Sequence, residues 1–232
     1  MTAIEEKKLR AAERAVEFVE SGMRLGLGTG STARHVLNLI ARRTTAGELR
    51  DIAGVATSRE TESNARRLGI PLISLDARQH LDLCIDGADE VDPGLDVVKG
   101  LGGALLWERI VADACDRVII AVDDRKRVRR LGERAAIPIE VVPFGWRTHI
   151  THVEGMGCLA TLRCAADGRP YVTDGGHYIL DCRFPGGVPD PRALEKAVRE
   201  RTGLIATGLF LGVATHVVVA HDEGVDVIER SR

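Results

Sequence analysis

The chain has 232 residues, with 32 basic and 34 acidic side chains, a formal net charge of −2 at pH 7 and only 3 % aromatic residues. The balanced charge disfavours a nucleic-acid binder, which usually presents a strongly basic face, and the few aromatic rings disfavour base stacking. No apolar run approaches the roughly 18 residues that a membrane span requires. The charged start, Glu5–Lys8, is unlike a signal peptide. Five cysteines without a C-x-x-C pair predict neither a disulfide framework nor a zinc site, which favours a cytoplasmic protein.

The first 131 residues alternate strand and helix patterns. We expect strands at 23–28, 52–58, 81–86 and 117–122, and helices at 4–20, from 33 to 43, at 59–68 and at 104–114. This alternation predicts an α/β fold with a Rossmann-like, doubly wound and mostly parallel sheet.

The pattern changes beyond residue 131. We expect a strand at 139–143, a helix at 147–155, antiparallel strands at 158–164, 171–173 and 178–182, and a helix at 191–201. This order predicts a second, smaller α+β (ferredoxin-like) domain at 132–205, inserted near the C-terminus of a catalytic domain formed by residues 1–131 and 206–232. Short strands at 207–213, 217–220 and 225–228 are expected to return to the main sheet.

Most of the candidate chemistry lies between Leu81 and Cys115. A predicted strand ends there in the acidic loop Asp86–Glu90, and Lys99, a glycine-rich run at 100–103 and a helix follow. Ligands of parallel α/β sheets bind outside the carboxyl ends of the strands, so a site is expected at this loop. The clustered carboxylates suit Mg²⁺, and with Lys99 they suit proton movement among sugar hydroxyls; a solvated acidic turn is the plainer alternative.

Glu108 occupies an unusual position on the predicted helix. On a helical wheel it falls with Ala104 and Val111 on the small apolar face, whereas Arg109 and Asp113 mark the opposite face. Loss of solvation there would raise the pKa of the carboxyl toward the range useful for a general base. A surface glutamate placed by chance is the alternative.

Residues 26–32, GLGTGST, join a predicted strand to a helix. Their glycines let the backbone approach an anion, and the helix N-terminus offers N–H groups without intrahelical partners. Ser31 replaces the third glycine of the dinucleotide fingerprint and no Walker lysine follows, so we interpret the segment as a phosphate loop, with a tight capped turn as the alternative. Lys126, after the strand at 117–122, is either a second phosphate contact or a surface lysine.

Two further features are interpreted as structural. His149 and His152 stand beside Glu154 like a metal pair, but no convincing third ligand accompanies them. Trp107 indicates packing or an interface. A phosphate loop, paired carboxylates, a lysine and a desolvated glutamate, without a cofactor motif, together predict proton transfer on a small sugar phosphate.

Seven segments resemble the A-type ribose-5-phosphate isomerase family, in the family's order and across essentially the whole chain. They are GLGTGSTA (26–33), DGADEVD (86–92), KGLGGALLWER (99–109), AVDDRK (121–126), PIEVVPFGW (138–146), YILDCRF (178–184) and TGLFLG (207–212). The resemblance implies interconversion of D-ribose 5-phosphate and D-ribulose 5-phosphate through an enediolate, a step of the non-oxidative pentose phosphate pathway, without metal or cofactor. It also implies a homodimer or homotetramer.

The resemblance further implies a role for each matching residue. Glu108 would carry the proton between C1 and C2, Asp86 with Lys99 would open the furanose ring and stabilise oxyanion charge, and Asp89 would hold hydroxyls. The residues implied to bind the substrate are Thr29, Gly30, Ser31, Thr32, Gly87, Ala88, Gly100, Leu101, Gly102, Lys126 and Lys8.

Four positions depart from the family pattern. Leu101 stands where Gly or Arg is usual, Trp107 replaces an Arg, residues 173–177 read TDGGH where TDNGN is common, and residues 57–58 keep part of a serine-rich turn. These changes leave open a paralogous isomerase for another sugar phosphate. A non-catalytic sugar-phosphate sensor and a CoA-transferase-like enzyme with a nucleophilic glutamate are two different interpretations, but an acidic loop with a lysine suits hydroxyl proton transfer better.

Overall fold

A computed structural model describes residues 2–231 of the chain. The chain divides into two compact units. Met1–Ala88, Trp107–Lys126 and Gly212–Arg232 form the first unit, and Asp89–Leu106 and Arg127–Leu211 form the second. No helix among the described residues combines the length and apolar character needed to cross a membrane.

The secondary structure alternates strands and helices along the chain. The helices are α1 (Ala3–Val16), α2 (Ser31–Thr45), α3 (Arg59–Arg67), α4 (Leu105–Asp113), α5 (Arg147–Glu154) and α6 (Pro191–Glu200). The strands are β1 (Arg24–Leu27), β2 (Ala53–Ala56), β3 (Leu81–Asp86), β4 (Glu90–Val91), β5 (Val97–Val98), β6 (Cys115–Asp123), β7 (Ile137–Val141), β8 (Leu159–Leu162), β9 (Tyr178–Arg183), β10 (Leu204–Thr207), β11 (Leu209–Phe210), β12 (His216–Ala220) and β13 (Val225–Glu229).

The first unit is built on a six-stranded sheet of order β13-β12-β6-β3-β1-β2. Neighbouring strands are parallel except for the antiparallel edge pair β12–β13. Apolar residues of the strands, such as Leu83, Ile119 and Val218, share one buried cluster with Val16 of α1 and Ile40 of α2. Burial on the sheet faces explains the nearly continuous apolar sequence of the central strands. The predicted α/β fold with a mostly parallel sheet is confirmed.

The second unit contains a four-stranded antiparallel sheet of order β10-β7-β9-β8. Helix α5 connects β7 to β8, and α6 connects β9 to β10. This β-α-β-β-α-β path is the ferredoxin-like arrangement that the sequence predicts. Its core includes Ile139, Leu180 and Val198. The two-residue strands β11, β5 and β4 form a separate small sheet in the same unit.

Two expected strands are wrong. Residues 171–173 are not a strand, because the Tyr171 N–H donates to the Arg163 carbonyl and the chain then turns at Thr173–Gly176. Residues 207–213 do not join the main sheet; β10 ends at Thr207 and pairs with β7, and β11 pairs with β5. A short apolar run does not specify its partner strand, so the sequence alone could not predict where residues 207–213 pair.

Smaller differences concern the ends of elements. Helix α1 ends at Val16, short of the expected residue 20, and the two-residue strands β4 and β5 are too short to show a periodic pattern. The second unit includes residues 89–106, which the sequence assigned to the larger domain. The assignment of residues 132–205 to a separate small domain stays a prediction.

Candidate active site

The order of strands places the predicted phosphate loop and the acidic loop next to each other in the first unit. Strand β1 pairs with β2 on one side and with β3 on the other. The chain therefore proceeds in opposite directions from β1, which makes this point a topological switch of the sheet. Ligands of doubly wound proteins bind outside the carboxyl ends of the strands at such a switch.

Asp86 ends β3 and is only 3 % exposed. Its Oδ1 accepts the backbone N–H of Thr29 at 3.0 Å and that of Gly87 at 2.7 Å. A Cβ atom at Gly28 would overlap the Asp86 carboxylate, so a glycine is needed where the two loops approach. Gly87 and Ala88, which follow in the chain, are half-buried.

The Thr29 hydroxyl belongs to a cluster of hydroxyl groups beneath the phosphate loop. It lies 2.7 Å from Thr57 Oγ1, 2.9 Å from Ser58 Oγ and 3.1 Å from Thr61 Oγ1. The cluster bonds back to the loop, because Thr61 donates to the Gly28 carbonyl at 2.9 Å. Thr29 thus supports the loop through its side chain. Apart from the abundance of hydroxyls at 57–61, no sequence pattern indicates this cluster.

The N-terminus of α2 has no side-chain cap. Gly30 is its N-cap residue, and the first turn, which begins at Ser31, carries no acidic side chain. By contrast, Thr2, Ser58 and Asp190 cap α1, α3 and α6 with their side chains. The first N–H groups of α2 therefore keep the free donors and the positive dipole end that suit an anion. Thr32, also in this turn, is buried.

Helix α4 carries Glu108 on its buried face. Glu108 is 5 % exposed, and Leu105, Val111 and Ala112 are buried with it. The face predicted from the helical wheel is confirmed. On the opposite side, Arg109 pairs with Asp113, and the apolar Ile110 is exposed.

In the second unit, Lys99 precedes the glycine loop, which we define as residues 100–103. Lys99 is 4 % exposed, and its Nζ lies 5.8 Å from the centre of the Phe210 ring. Asp89 Oδ2 accepts the Leu101 N–H at 2.9 Å, which ties the acidic loop to the glycine loop. Gly100 is buried, whereas Leu101 and Gly102 are exposed.

The acidic loop is not one cluster. Glu90, its last carboxylate, is 1 % exposed and belongs to the second unit. Glu90 accepts backbone N–H groups from Gly132 at 2.5 Å, Arg134 at 2.7 Å and Ala135 at 2.6 Å. It therefore fixes the loop before β7. Asp86, Asp89 and Glu90 cannot be distinguished by their spacing in the sequence, so the sequence did not indicate the structural role of Glu90.

Neither the acidic loop nor the pair of histidines beside Glu154 forms a metal centre in the described part of the chain. Within residues 2–231, no group of three or more His, Cys, Asp or Glu side chains is placed to hold an ion. His149 instead accepts a hydrogen bond from Arg201 Nε at 3.0 Å. Desolvation lowers the pKa values of His149 and His152, and the nearby Arg201 charge lowers both further.

The predicted phosphate lysines have different surroundings. Lys126 lies, half-buried, in the 3₁₀ turn after β6. Lys8 donates to Glu5 at 2.6 Å on its own helix. Its neighbour Lys7 reaches this same turn, where Nζ lies 3.1 Å from Asp124. Lys7 is thus a candidate that the sequence pattern did not indicate.

The fold and these residues define a class of protein. At its switch point the doubly wound α/β sheet brings together a buried carboxylate and a helix N-terminus without a side-chain cap, and α4 buries a glutamate. These features are typical of enzymes that perform acid–base chemistry on small anionic metabolites. The profile of the family described as ribose 5-phosphate isomerase A (phosphoriboisomerase A) matches residues 53–224. The chain belongs to that family.

Known relatives cover the chain almost completely. It is 50 % identical to ribose-5-phosphate isomerase A of Roseiflexus castenholzii over 95 % of this chain and 94 % of the relative. It is 45 % identical to ribose-5-phosphate isomerase A of Synechococcus sp. (strain JA-3-3Ab) over the whole of both chains. A solved D-ribose-5-phosphate isomerase in complex with phospho-erythronic acid superposes with a TM-score of 0.96 at 38 % identity, over 99 % of this chain and 100 % of that one.

Proposed function

We propose that this protein interconverts D-ribose 5-phosphate and D-ribulose 5-phosphate through an enediolate. Membership of the family over the full length of the chain carries the proposal. The four predicted acid–base residues are all present, and three of them, Asp86, Lys99 and Glu108, are at least 95 % buried. Burial of polar groups of this kind is costly, and it is typical of functional sites.

In the proposed reaction, Glu108 is the base. It removes the proton from C2 of the open-chain aldose and returns it to C1, so that the negative charge passes through the enediolate oxygens. Asp86 acts on the ring hydroxyl during opening, Lys99 stabilises the oxyanion, and Asp89 holds substrate hydroxyls. Asp86 is suited to this because two backbone N–H groups, those of Thr29 and Gly87, orient its buried carboxylate at the end of β3.

The substrate phosphate is assigned to the N-terminus of α2. The uncapped N–H groups after Gly30 and the hydroxyls of Ser31 and Thr32 are the proposed donors. Thr29 acts through Asp86 and the hydroxyl cluster, since both its N–H and its Oγ1 already have partners. Lys126, with Lys7 or Lys8, supplies positive charge, and the family resemblance implies that the backbone of 87–88 and that of 100–102 contact the sugar.

The ligand of one structural relative supports the enediolate. That isomerase was solved in complex with phospho-erythronic acid. A phosphorylated four-carbon acid offers a planar, negatively charged carboxylate together with a phosphate. An enediolate offers the same planar pair of oxygens, so a site for one accommodates the other.

The test is isomerisation of D-ribose 5-phosphate in D₂O with EDTA present, followed by ketose formation and deuterium incorporation. Turnover with deuterium at the carbon that receives the proton is expected, and it establishes an enediolate formed without a removable metal. Tight binding without turnover would identify a sensor. Turnover of a different sugar phosphate in preference would identify a paralogous isomerase, the alternative suggested by Leu101, Trp107 and His177.

The role of Glu108 is tested by Glu108→Gln. The amide keeps the shape of the side chain but cannot accept the proton, so kcat should fall by at least about 1,000-fold. Binding of phosphorylated erythronic acid, measured by calorimetry, should persist. A variant with the wild-type rate would exclude Glu108 as the base.

Assembly and location are also proposals. We assign a homodimer or homotetramer from the family resemblance, and the exposed Phe144 of the second unit, at 94 %, is the kind of apolar side chain that interfaces cover. Sedimentation at micromolar concentration decides the oligomeric state. The five cysteines are free thiols, which suits the predicted cytoplasmic location.

A further inference from the structure

Two side chains from the antiparallel part of the second unit bind the carbonyl groups of the glycine loop. Arg163 Nη1 donates to the carbonyl oxygens of Gly100 and Leu101, at 2.8 and 3.1 Å. The Tyr171 hydroxyl donates to the carbonyl oxygen of Gly102 at 3.3 Å. Three successive peptide groups, in a segment of glycines that has little stiffness of its own, are thus held from outside.

Arg163 is itself rigidly oriented. Its Nε and Nη2 bind the two oxygens of Asp181 at 2.9 and 2.5 Å, and the Arg163 side chain is 12 % exposed. A bidentate pair fixes the plane of the guanidinium, so the remaining nitrogen points in one direction, toward the glycine loop. The guanidinium carbon also lies 5.9 Å from the centre of the Tyr171 ring. We call Arg163, Tyr171 and Asp181 the brace.

The brace packs tightly against the loop. A Cβ atom at Gly103 would overlap the Tyr171 phenol, so only glycine fits beside the ring. The Gly103 N–H donates to the Gly100 carbonyl at 3.0 Å and closes the loop into a turn. Tyr171 is tied to Arg163 through its backbone N–H at 2.9 Å.

Fixing the carbonyls also fixes the N–H groups. In a planar trans peptide the carbonyl of one residue and the N–H of the next point in opposite directions. The Arg163 bond to Gly100 therefore turns the Leu101 N–H away from the brace, and this N–H meets Asp89. The Arg163 bond to Leu101 likewise turns the Gly102 N–H away from the brace. Helix α4, which carries Glu108, begins two residues after the loop.

We propose that Arg163 and Tyr171 are positioning residues of the isomerase, which orient the glycine loop for the reaction without touching the substrate. This inference rests on the proposed function. It adds two residues that lie more than 50 positions further along the sequence than the acid–base groups. Their contribution is preorganisation: the N–H donors and the start of α4 are held before the substrate binds.

Tyr171→Phe and Arg163→Lys test the proposal. The first keeps the ring and removes one hydrogen bond; the second keeps a charge but loses the planar fork that joins Asp181 to the loop. Tyr178→Phe, the chain's other tyrosine, and Arg183→Lys, whose guanidinium donates to the Arg134 carbonyl at 3.1 Å, are matched controls in the same unit. For each, kcat, KM, melting temperature and amide hydrogen exchange of peptides covering 100–104 are measured.

We expect kcat to fall about threefold to tenfold in Tyr171→Phe and about tenfold to 100-fold in Arg163→Lys, with KM changed less than about threefold. Exchange of the loop amides should accelerate in both, and the controls should match the wild type. A lower melting temperature with an unchanged kcat would show that the brace is only structural. Unchanged loop exchange, or an equal loss of kcat in the controls, would also overturn the proposal.

Failure of the proposed function is a separate result. It appears in the wild type as absence of isomerisation, before any variant is made. Failure of the positioning role appears only among variants of an active wild type.

Discussion

Two buried carboxylates, one in each compact unit, are held in different ways. In the first unit, Asp86 accepts two backbone N–H groups. In the second, Glu140 is 1 % exposed in the middle of β7, where Oε1 lies 2.8 Å from Thr173 Oγ1 and 2.9 Å from His177 Nδ1. Its Oε2 is buried and has no hydrogen-bond partner among the described residues.

Two other comparisons of burial with hydrogen bonding come from the pKa values of Asp123 in the first unit and Glu140 in the second. Burial would raise the pKa of Asp123, at the end of β6, but the hydrogen bonds and charge of Arg125 outweigh it, so the pKa lies below its usual value. Burial raises the pKa of Glu140, and the bonds from Thr173 and His177 only partly offset it.

The position of a carboxylate in its strand decides which donors it finds. Loops at the carboxyl ends of parallel strands bring N–H groups that no ladder uses, such as that of Thr29. Inside an antiparallel sheet the N–H groups are already paired in the ladder, so Glu140 depends on side chains. Hydrogen bonds to the charged form of a carboxylate favour that form, whereas burial opposes it, and at Glu140 burial prevails.

The largest effect is expected from Asp86→Asn. The amide oxygen can accept the N–H groups of Thr29 and Gly87, so the melting temperature should change by less than about 3 °C. The lost charge should lower kcat at least about 100-fold. Isomerase kinetics measure kcat, and thermal unfolding measures the melting temperature. A variant with wild-type kcat would show that the strand-end carboxylate takes no part in the reaction.

Glu90→Gln should lower the stability and leave kcat nearly unchanged, which is the reverse of the result expected for Asp86→Asn. Both oxygens of Glu90 accept backbone N–H groups, so the amide nitrogen must face a donor and leave it unpaired. The free energy of unfolding should fall by about 1–3 kcal/mol, with kcat of the folded enzyme near wild type. Glu133→Gln, at an exposed neighbour, is the control and should change stability by less than about 0.5 kcal/mol. Equal losses in the two variants would contradict the role given to Glu90.

Glu140→Gln should reveal the raised pKa. A carboxyl with a raised folded-state pKa contributes stability below its ordinary value, near 4.5, and loses that contribution as pH rises through the raised value. Glutamine does not titrate. The stability of the variant relative to wild type should therefore increase between pH 4 and pH 8, on the order of 1 kcal/mol. Denaturant unfolding at several pH values measures it, and a pH-independent difference would refute the shift.

Arg125→Gln should have the smallest effect. Asp123 has a lowered pKa, so its pairing stabilises the fold above the ordinary value of 3.8 and ceases to do so as pH falls through the lowered one. The Arg125 side chain is 52 % exposed, and water screens the pair. We expect the free energy of unfolding to fall by less than about 1 kcal/mol at pH 7, and by still less in high salt. The exposed Arg127→Gln is the control, and a loss independent of pH would argue against the Asp123 pair.

Local patterns predicted much of the first unit. The strands and helices from β1 to α4 follow from apolar runs and amphipathic periods. A helix that packs on a sheet buries one face, and this burial requires apolar residues at regular intervals. The buried side of α4 followed from the spacing of Glu108, Val111 and Ala112. The order of the elements in the ferredoxin-like sheet was also predictable.

Contacts between distant segments were not predictable in the same way. The hydroxyl cluster of Thr29, the cap that Glu90 places on residues 132–135, and the choice between Lys7 and Lys8 depend on where side chains arrive after folding. Residues 171–173 have an apolar and polar alternation that fits a strand. They lack a partner strand because Tyr171 faces the glycine loop and Thr173 faces Glu140.

The sequence by itself determined the class of fold, the family and the candidate acid–base residues, because each depends on residue types at short spacings. Only the tertiary structure decided what surrounds each carboxylate. Asp86, Glu90 and Glu140 are chemically similar in the sequence, and their surroundings are set by distant segments, such as Thr29 for Asp86 and Gly132 for Glu90. Electrostatic free energy depends on distance and burial in space, which a linear spacing does not give.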